Sequence, residues 1–152
     1  MTTLKVSESL AKEHDELFHE LRNVVERGDA IGKTANGLLT ALEPHFEKEN
    51  ETAMPLLGVL EPLSKGGPTH RTEVVRLYDE LASEYPRMLK EHARIRNLIG
   101  SVRRVASKKK DADVPALMRA LEHHAAVEEE ILYPAALLAG FIVKAGVEVS
   151  AR

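Results

Sequence analysis

ALEHHAAVEEEILYP, residues 120–134, has a twin in ALEPHFEKENETAMP, residues 41–55. Displaced by 79 positions, the two segments share seven residues: Ala, Leu, Glu, His, Glu, Glu and Pro. The shared histidines are His45 and His124, and the glutamates four residues on are Glu49 and Glu128. A second echo lies upstream, where Lys12-Glu13-His14 recurs as Lys90-Glu91-His92, displaced by 78 positions. The chain therefore reads as one helical hairpin used twice. Each copy carries a His, a gap of about 30 residues, and then His-x-x-x-Glu.

Around this repeat the apolar spacing is helical. Residues 7–27 form a first helix with Leu10, His14, Leu17, Leu21 and Val24 inward. Ser7 or Ser9 is expected to cap it, and Gly28 ends it. Asp29 can cap a second helix over 30–60, with Leu38, Leu42, His45, Glu49 and Leu56 inward. Pro44 is expected to kink this helix and Pro55 to bend or end it. PLSKGGP, residues 62–68, is the strongest loop signal.

Residues 70–82 suggest a short amphipathic helix docked on the bundle or on a partner. Ser83 and Pro86 suit the start of a third long helix over about 84–107, with Tyr85, Met88, His92, Ile95, Ile99 and Val102 inward. Its basic end (Arg103, Arg104, Lys108, Lys109, Lys110) complements the helix dipole. Asp113 and Pro115 open a fourth helix with the stripe Val114, Leu117, Leu121, His124, Glu128, Ile131, Ala135 and Leu138. Gly140 is expected to break it, leaving a short apolar extension to the end of the chain. The expected fold is all-α: an up-down-up-down four-helix bundle with a short extra helix between the second and third long helices. Residues 1–152 form one domain, with its core at about 8–139 and an extension over 140–152.

Composition narrows the function classes. A formal net charge of −3 gives no electrostatic reason to expect nucleic acid or a membrane surface. The absence of cysteine excludes disulfides and thiolate ligands. No apolar run approaches the roughly 20 residues of a membrane span, and the N-terminal residues lack the apolar core of a signal peptide. The expected location is the cytoplasm. No general-base or oxyanion apparatus stands out.

The polar residues on the inward stripes are the informative ones. His14, His45, Glu49, His92, His124 and Glu128 all fall on helix seams flanked by Leu, Ile, Val or Met. An isolated carboxylate in an apolar core costs several kcal/mol or protonates. A pair of divalent or trivalent cations would satisfy two carboxylates and four imidazoles at one level. Spacing of i, i+4 puts each His and its Glu on one helix face, a turn apart. A lone inward His is usually a hydrogen-bonded core residue, but here four helices each contribute one. Of the seven histidines, only the repeated pair have Glu at i+4. His19, His70 and His123 read as surface residues.

The pattern of His14, His45-x-x-x-Glu49, His92 and His124-x-x-x-Glu128, followed by Leu-Tyr-Pro, resembles the hemerythrin-like (HHE cation-binding) family over about residues 8–139. The resemblance implies a four-helix bundle around a non-haem di-iron centre. By position, it assigns His14 and His45 to one iron and His92 and His124 to the other. Glu49 and Glu128 would bridge, with an oxo, hydroxo or water bridge completing the core. Manganese and zinc accept the same ligand types. Ferritin-like di-iron proteins need two Glu-x-x-His motifs, and this chain has only Glu16-x-x-His19, off the seam.

Five-histidine hemerythrins carry two histidines at i, i+4 on the third helix. Here the positions four from His92 are Met88 and Arg96, so a water or Tyr85 is expected to fill or gate that place. An aspartate bridge of such proteins is replaced by Glu128, and the link over 60–83 is longer. The implied function is to bind, sense or react with a small oxidant: oxygen, hydrogen peroxide or nitric oxide. An enzymatic role would be iron chemistry such as peroxide decomposition. The alternatives are an iron buffer or oxygen carrier without turnover, and an interaction module with a structural metal. In the latter, residues 70–82 would be the surface for a homodimer or protein partner.

Overall fold

The computed structural model describes residues 4–147, and those residues are mostly helical with no strand among them. Helix α1 spans Glu8–Glu26 and α2 spans Ala30–Glu51. Two five-residue helices follow, α3 (Ala53–Leu57) and α4 (Leu60–Ser64). Helix α5 runs for 38 residues, Arg71–Lys108. The last helical run is continuous but changes character: α6 (Val114–Val127), a π-turn (Glu128–Leu132) and α7 (Tyr133–Ala145). The final residues of the expected C-terminal extension, 148–152, lie outside the described residues, as do 1–3.

The helix starts and stops have identifiable causes. Gly28, at φ +68°, takes the left-handed conformation that ends α1. Asp29 then caps α2, its Oδ1 accepting the Gly32 N–H at 2.8 Å. Ser7 occupies the cap position of α1 but makes no capping bond there, and its hydroxyl lies 3.0 Å from that of Ser9. Pro44 is contained within α2. The second helix ends earlier than expected, at Thr52, whose backbone leaves the helical region (φ −125°, ψ −66°). Pro55 explains the break. It has no N–H for the carbonyl of Glu51, and its ring collides with that carbonyl in a regular helix.

The expected short helix over 70–82 is not separate. Pro86 lies inside α5, and the first third of that helix is continuous with the rest. Val74, Leu77 and Leu81 are fully buried against the same apolar mass as Met88, so packing holds both sides of the proline in one line. Val74, Leu77 and Leu81 of this stretch are thereby used within the chain. The extra helices between the second and third long ones are α3 and α4 instead.

Helix α1 packs on α2 and α6, α2 packs on α1 and α5, and α5 packs on α2, α6 and α7. Two apolar cores result. One gathers Leu17, Leu21, Leu38, Leu42, Ile95, Ile99, Leu117 and Leu121. The other gathers Leu56, Leu57, Val74, Leu77, Leu81, Met88, Ala136 and Val143. Each fully buried leucine contributes about 1.5–3 kcal/mol of transfer free energy. At about 57 Å, α5 is long enough to serve both cores.

The fourth run departs from expectation after Glu128. Ile131 and Leu138, expected inward, are 57% and 59% exposed, whereas Tyr133, Ala136 and Ala139 are buried. The π-turn adds a residue to one turn and so shifts the inward stripe. Nor does Gly140 break the helix. It is buried in α7, where a Cβ would lie 2.7 Å from Tyr78 Cβ of α5. Its function in the fold is close approach of the two helices. Gly140→Ala is expected to cost about 1–3 kcal/mol by overpacking, read as a lower midpoint in urea unfolding. An unchanged midpoint would mean that α5 and α7 do not pack this closely.

Candidate metal centre

Between the two cores lies a polar layer made by α1, α2, α5, α6 and the π-turn. His14, His45, Glu49, His92, His124 and Glu128 are each at most 4% exposed. The other histidines, His19, His70 and His123, are exposed and take no part. All six seam residues are thus brought together.

The carboxylates divide their oxygens. Glu49 turns Oε1 to His45 Nε2 (3.1 Å) and Oε2 towards His14 Nε2 (3.4 Å). Glu128 turns Oε1 to His124 Nε2 (2.6 Å) and His14 Nε2 (3.2 Å), and Oε2 to His92 Nε2 (3.2 Å). Two groups of converging ligand atoms result, His14–Glu49–His124–Glu128 and His45–Glu49–His92–Glu128, with the atoms of each within 4.8 Å of one another. Both carboxylates belong to both groups.

This corrects the pairing expected from the family resemblance, which joined His14 with His45 and His92 with His124. Each pair instead mixes the two sequence copies: His14 on α1 groups with His124 on α6, and His45 on α2 with His92 on α5. In the His45–His92 pair the two Nε2 atoms approach to 2.8 Å.

Three imidazoles are oriented from behind by carboxylates. Nδ1 of His45 meets Glu91 (2.8 Å), Nδ1 of His92 meets Glu129 (2.9 Å) and Nδ1 of His124 meets Glu13 (2.9 Å). An ionised carboxylate only accepts, so each Nδ1–H donates outward and Nε2 faces the centre. Arg96 fixes Glu129 with a 2.8 Å hydrogen bond and holds its carboxyl below the usual range. His14 differs: its Nδ1 has no hydrogen-bond partner, and its ring stacks on Phe46 at 4.3 Å.

Buried charge sets the electrostatics. Burial opposes a proton on His45, but Glu49, Glu91 and Glu128 outweigh it and raise its pKa to about 9. Burial likewise opposes a proton on His124, yet Glu128, Glu13 and Glu49 raise it to about 9. Glu128 is pushed up by burial and more strongly down by His124, His14 and His92, ending well below the ordinary carboxylate range.

These contacts do not satisfy every group. Among the described residues, Glu49 Oε2 and His124 Nε2 are buried without hydrogen-bond partners, although both have an oppositely disposed neighbour within reach. Orphaned donor atoms aimed inward, in a set of imidazole nitrogens and shared carboxylate oxygens, fit a metal site.

Sequence reasoning gave no role to four residues here. Glu13 and Glu91 stand directly before the repeated histidines, and that repeat was their signal. Glu129 follows Glu128 in a run of three glutamates. The fourth is Tyr133, 1% exposed, whose hydroxyl donates to Glu49 Oε1 and lies 3.1 Å from His92 Nε2 and 3.3 Å from His45 Nε2. Burial, then the charges of Glu49 and Glu128, push this phenol far up, so it keeps its proton. Tyr85, expected to approach the site, instead packs edge-on against the Tyr133 ring at 5.9 Å.

On the side of the first apolar core, Leu42, Phe46, Ile95 and Leu121 wall a small cavity that reaches His45, His92, His124 and Glu128. A second, more open cleft adjoins His14, between Phe18, Phe46 and Asn50.

Comparison with curated proteins and with solved structures gives no match. The family described as Hemerythrin HHE cation binding domain matches residues 5–136, a span that contains the whole buried His/Glu layer and Tyr133. With that match over most of its length, the chain belongs to the hemerythrin HHE cation-binding domain family.

Proposed function

We propose that the chain is a single up-down-up-down bundle that holds two iron ions and binds, senses or reacts with a small oxidant: oxygen, hydrogen peroxide or nitric oxide. His14 and His124 are the terminal ligands of one ion, and His45 and His92 those of the other. Glu49 and Glu128 serve both. The observation that carries this reading is the division of each glutamate's two oxygens between the two histidine pairs. Manganese and zinc accept the same donors, and metal analysis separates the three.

Iron at this place would supply the electrons for reduction of, or reversible binding to, a small oxidant. The protein's own part is positional. Glu13, Glu91 and Glu129 fix the tautomer and orientation of three imidazoles. Leu42, Phe46, Ile95 and Leu121 keep bulk water from the cavity beside the cluster, which suits a diatomic or peroxide better than a larger substrate. Among the described residues no helix is long and apolar enough to cross a membrane, consistent with action in the cytoplasm.

Protein purified and loaded with iron is expected to hold two irons per chain and to change its absorption with at least one of the three oxidants. Full occupancy without any optical response would defeat the oxidant assignment. Removing the metal by chelation should lower the unfolding midpoint, since a ligand bound only by the folded state stabilises it. Glu49→Ala and Glu128→Ala are each expected to lose the two-metal state, while His19→Ala retains it. Equal iron loss in His19→Ala would contradict the ligand set. Glu91→Ala is expected to weaken metal affinity about 10–100-fold by releasing the His45 ring, measured by competition with a chelator. An unaltered affinity would show that Glu91 does not orient that ligand.

A further inference from the structure

The two sequence copies do not make equal halves of the site. Under the 79-residue displacement, Glu129 corresponds to Asn50, Ala125 to Phe46 and Tyr133 to Met54. Each difference falls beside the cluster. His92 has Glu129 behind it, whereas its counterpart His14 has no partner on Nδ1 and has Phe46 stacked on its ring. The largest difference concerns oxygen donors. Tyr133 reaches the His45–His92 pair with a hydroxyl, while Met54 is buried in the second apolar core.

The π-turn is what delivers that hydroxyl. In a regular helix a residue at i+5 points about 140° away from residue i. Here the Tyr133 N–H donates to the carbonyl of Glu128, five residues back, and this wide turn brings Tyr133 round towards the Glu128 face. The phenol oxygen then sits within 3.3 Å of the Nε2 atoms of both His45 and His92 and bonds to Glu49. Three ligand-type atoms, two imidazole nitrogens and one carboxylate oxygen, thus converge about one phenol oxygen.

We propose that Tyr133 is a further protein ligand, its oxygen binding the metal held by His45 and His92. This rests on the di-iron reading above. On loading, the phenol gives up its proton to solvent and its oxygen donates a lone pair to the cation, as ligand deprotonation generally accompanies metal binding. The proton it formerly donated to Glu49 is lost with it, which frees Glu49 Oε1 to share the same ion. The two metals then differ in their ligands. The His45–His92 ion carries two imidazoles, two shared carboxylates and a phenolate, whereas the His14–His124 ion lacks the fifth protein donor. Exogenous small ligands are directed to the latter, which the small cavity reaches at His124 and the open cleft at His14.

A phenolate on ferric iron absorbs visible light by charge transfer and shows tyrosinate ring modes in resonance Raman spectra. The experiment uses the full chain loaded with ferric iron, with metal content measured on the same samples. The expected result is two irons per chain, a visible charge-transfer band, and Raman modes that shift with ring-deuterated tyrosine. Of the three tyrosines, Tyr133→Phe should abolish the band while iron stays bound, and Tyr78→Phe and Tyr85→Phe should keep it. Two irons per chain without tyrosinate modes in the wild-type protein would overturn the proposal, leaving Tyr133 a hydrogen-bond donor to Glu49. Persistence of the band in Tyr133→Phe would overturn it equally. Failure of the wild-type chain to bind iron would overturn the di-iron reading and this inference with it. Should Tyr133→Phe not fold, the labelled wild-type spectrum together with the Tyr78→Phe and Tyr85→Phe spectra still decides.

Discussion

Two carboxylates buried at the middle of a helical bundle constrain everything around them. Glu49 and Glu128 are 1% and 3% exposed, and among the described residues neither has a lysine or arginine as a close partner. A carboxylate in such a place is strongly destabilising unless its charge and its lone pairs are met. Four imidazoles meet part of that demand. They can do so because they tolerate both charge states, so the same contacts serve a protonated pair or a metal-bound one. Replacing buried ionic groups by well-packed apolar residues is often neutral or stabilising. Polar residues concentrated at one level, with pure hydrocarbon packing on either side, mark that level as the working part of the fold.

The internal repeat gives the layer an approximate two-fold arrangement. Each histidine pair takes one member from each copy, and each orienting carboxylate of the repeated Lys-Glu-His segments acts across the bundle, Glu13 on His124 and Glu91 on His45. Such crossing is what a duplicated hairpin produces when its copies interlock rather than lie side by side. The pairing expected from the family resemblance stays within each hairpin, whereas the ligand-type atoms group across the two. The helices within each hairpin also pack on one another, α1 on α2 and α5 on α6, so helix adjacency alone does not set the grouping.

Much of this was legible in the residues. The stripes on α1, α2, α5 and α6 are inward as their spacing requires, up to and including all six polar positions. Legibility stopped where backbone chemistry overrode periodicity. The stripe continued through Ile131 and Leu138 assumes a regular helix, and one wide turn transfers burial to Tyr133, Ala136 and Ala139. Pro86 reads as a helix start, because propensity speaks for single residues and cannot see that Leu81 and Met88 pack into one core. Gly140 reads as a break for the same reason, since the nearness of Tyr78 is a tertiary fact. The orienting carboxylates lie half-exposed, off the apolar stripe, and so escape any search restricted to inward positions.

The two prolines that end the repeated segments show how a small backbone difference separates the halves. Pro55 and Pro134 are equivalent positions, six residues beyond Glu49 and Glu128. Neither can donate to the carbonyl four residues back, so neither copy can continue as an unperturbed helix. The first copy breaks at Thr52, restarts as α3 and turns Met54 into the second apolar core. The second copy stays helical by widening one turn, and its N–H bond from Tyr133 to Glu128 keeps the backbone of the buried glutamate engaged. A break frees the following side chains to pack elsewhere, whereas a widened turn rotates them about the same axis. The residue before the proline therefore becomes core in one copy and a neighbour of the ligand cluster in the other. Asymmetry between two otherwise matching histidine pairs thus follows from two different backbone solutions to one missing N–H.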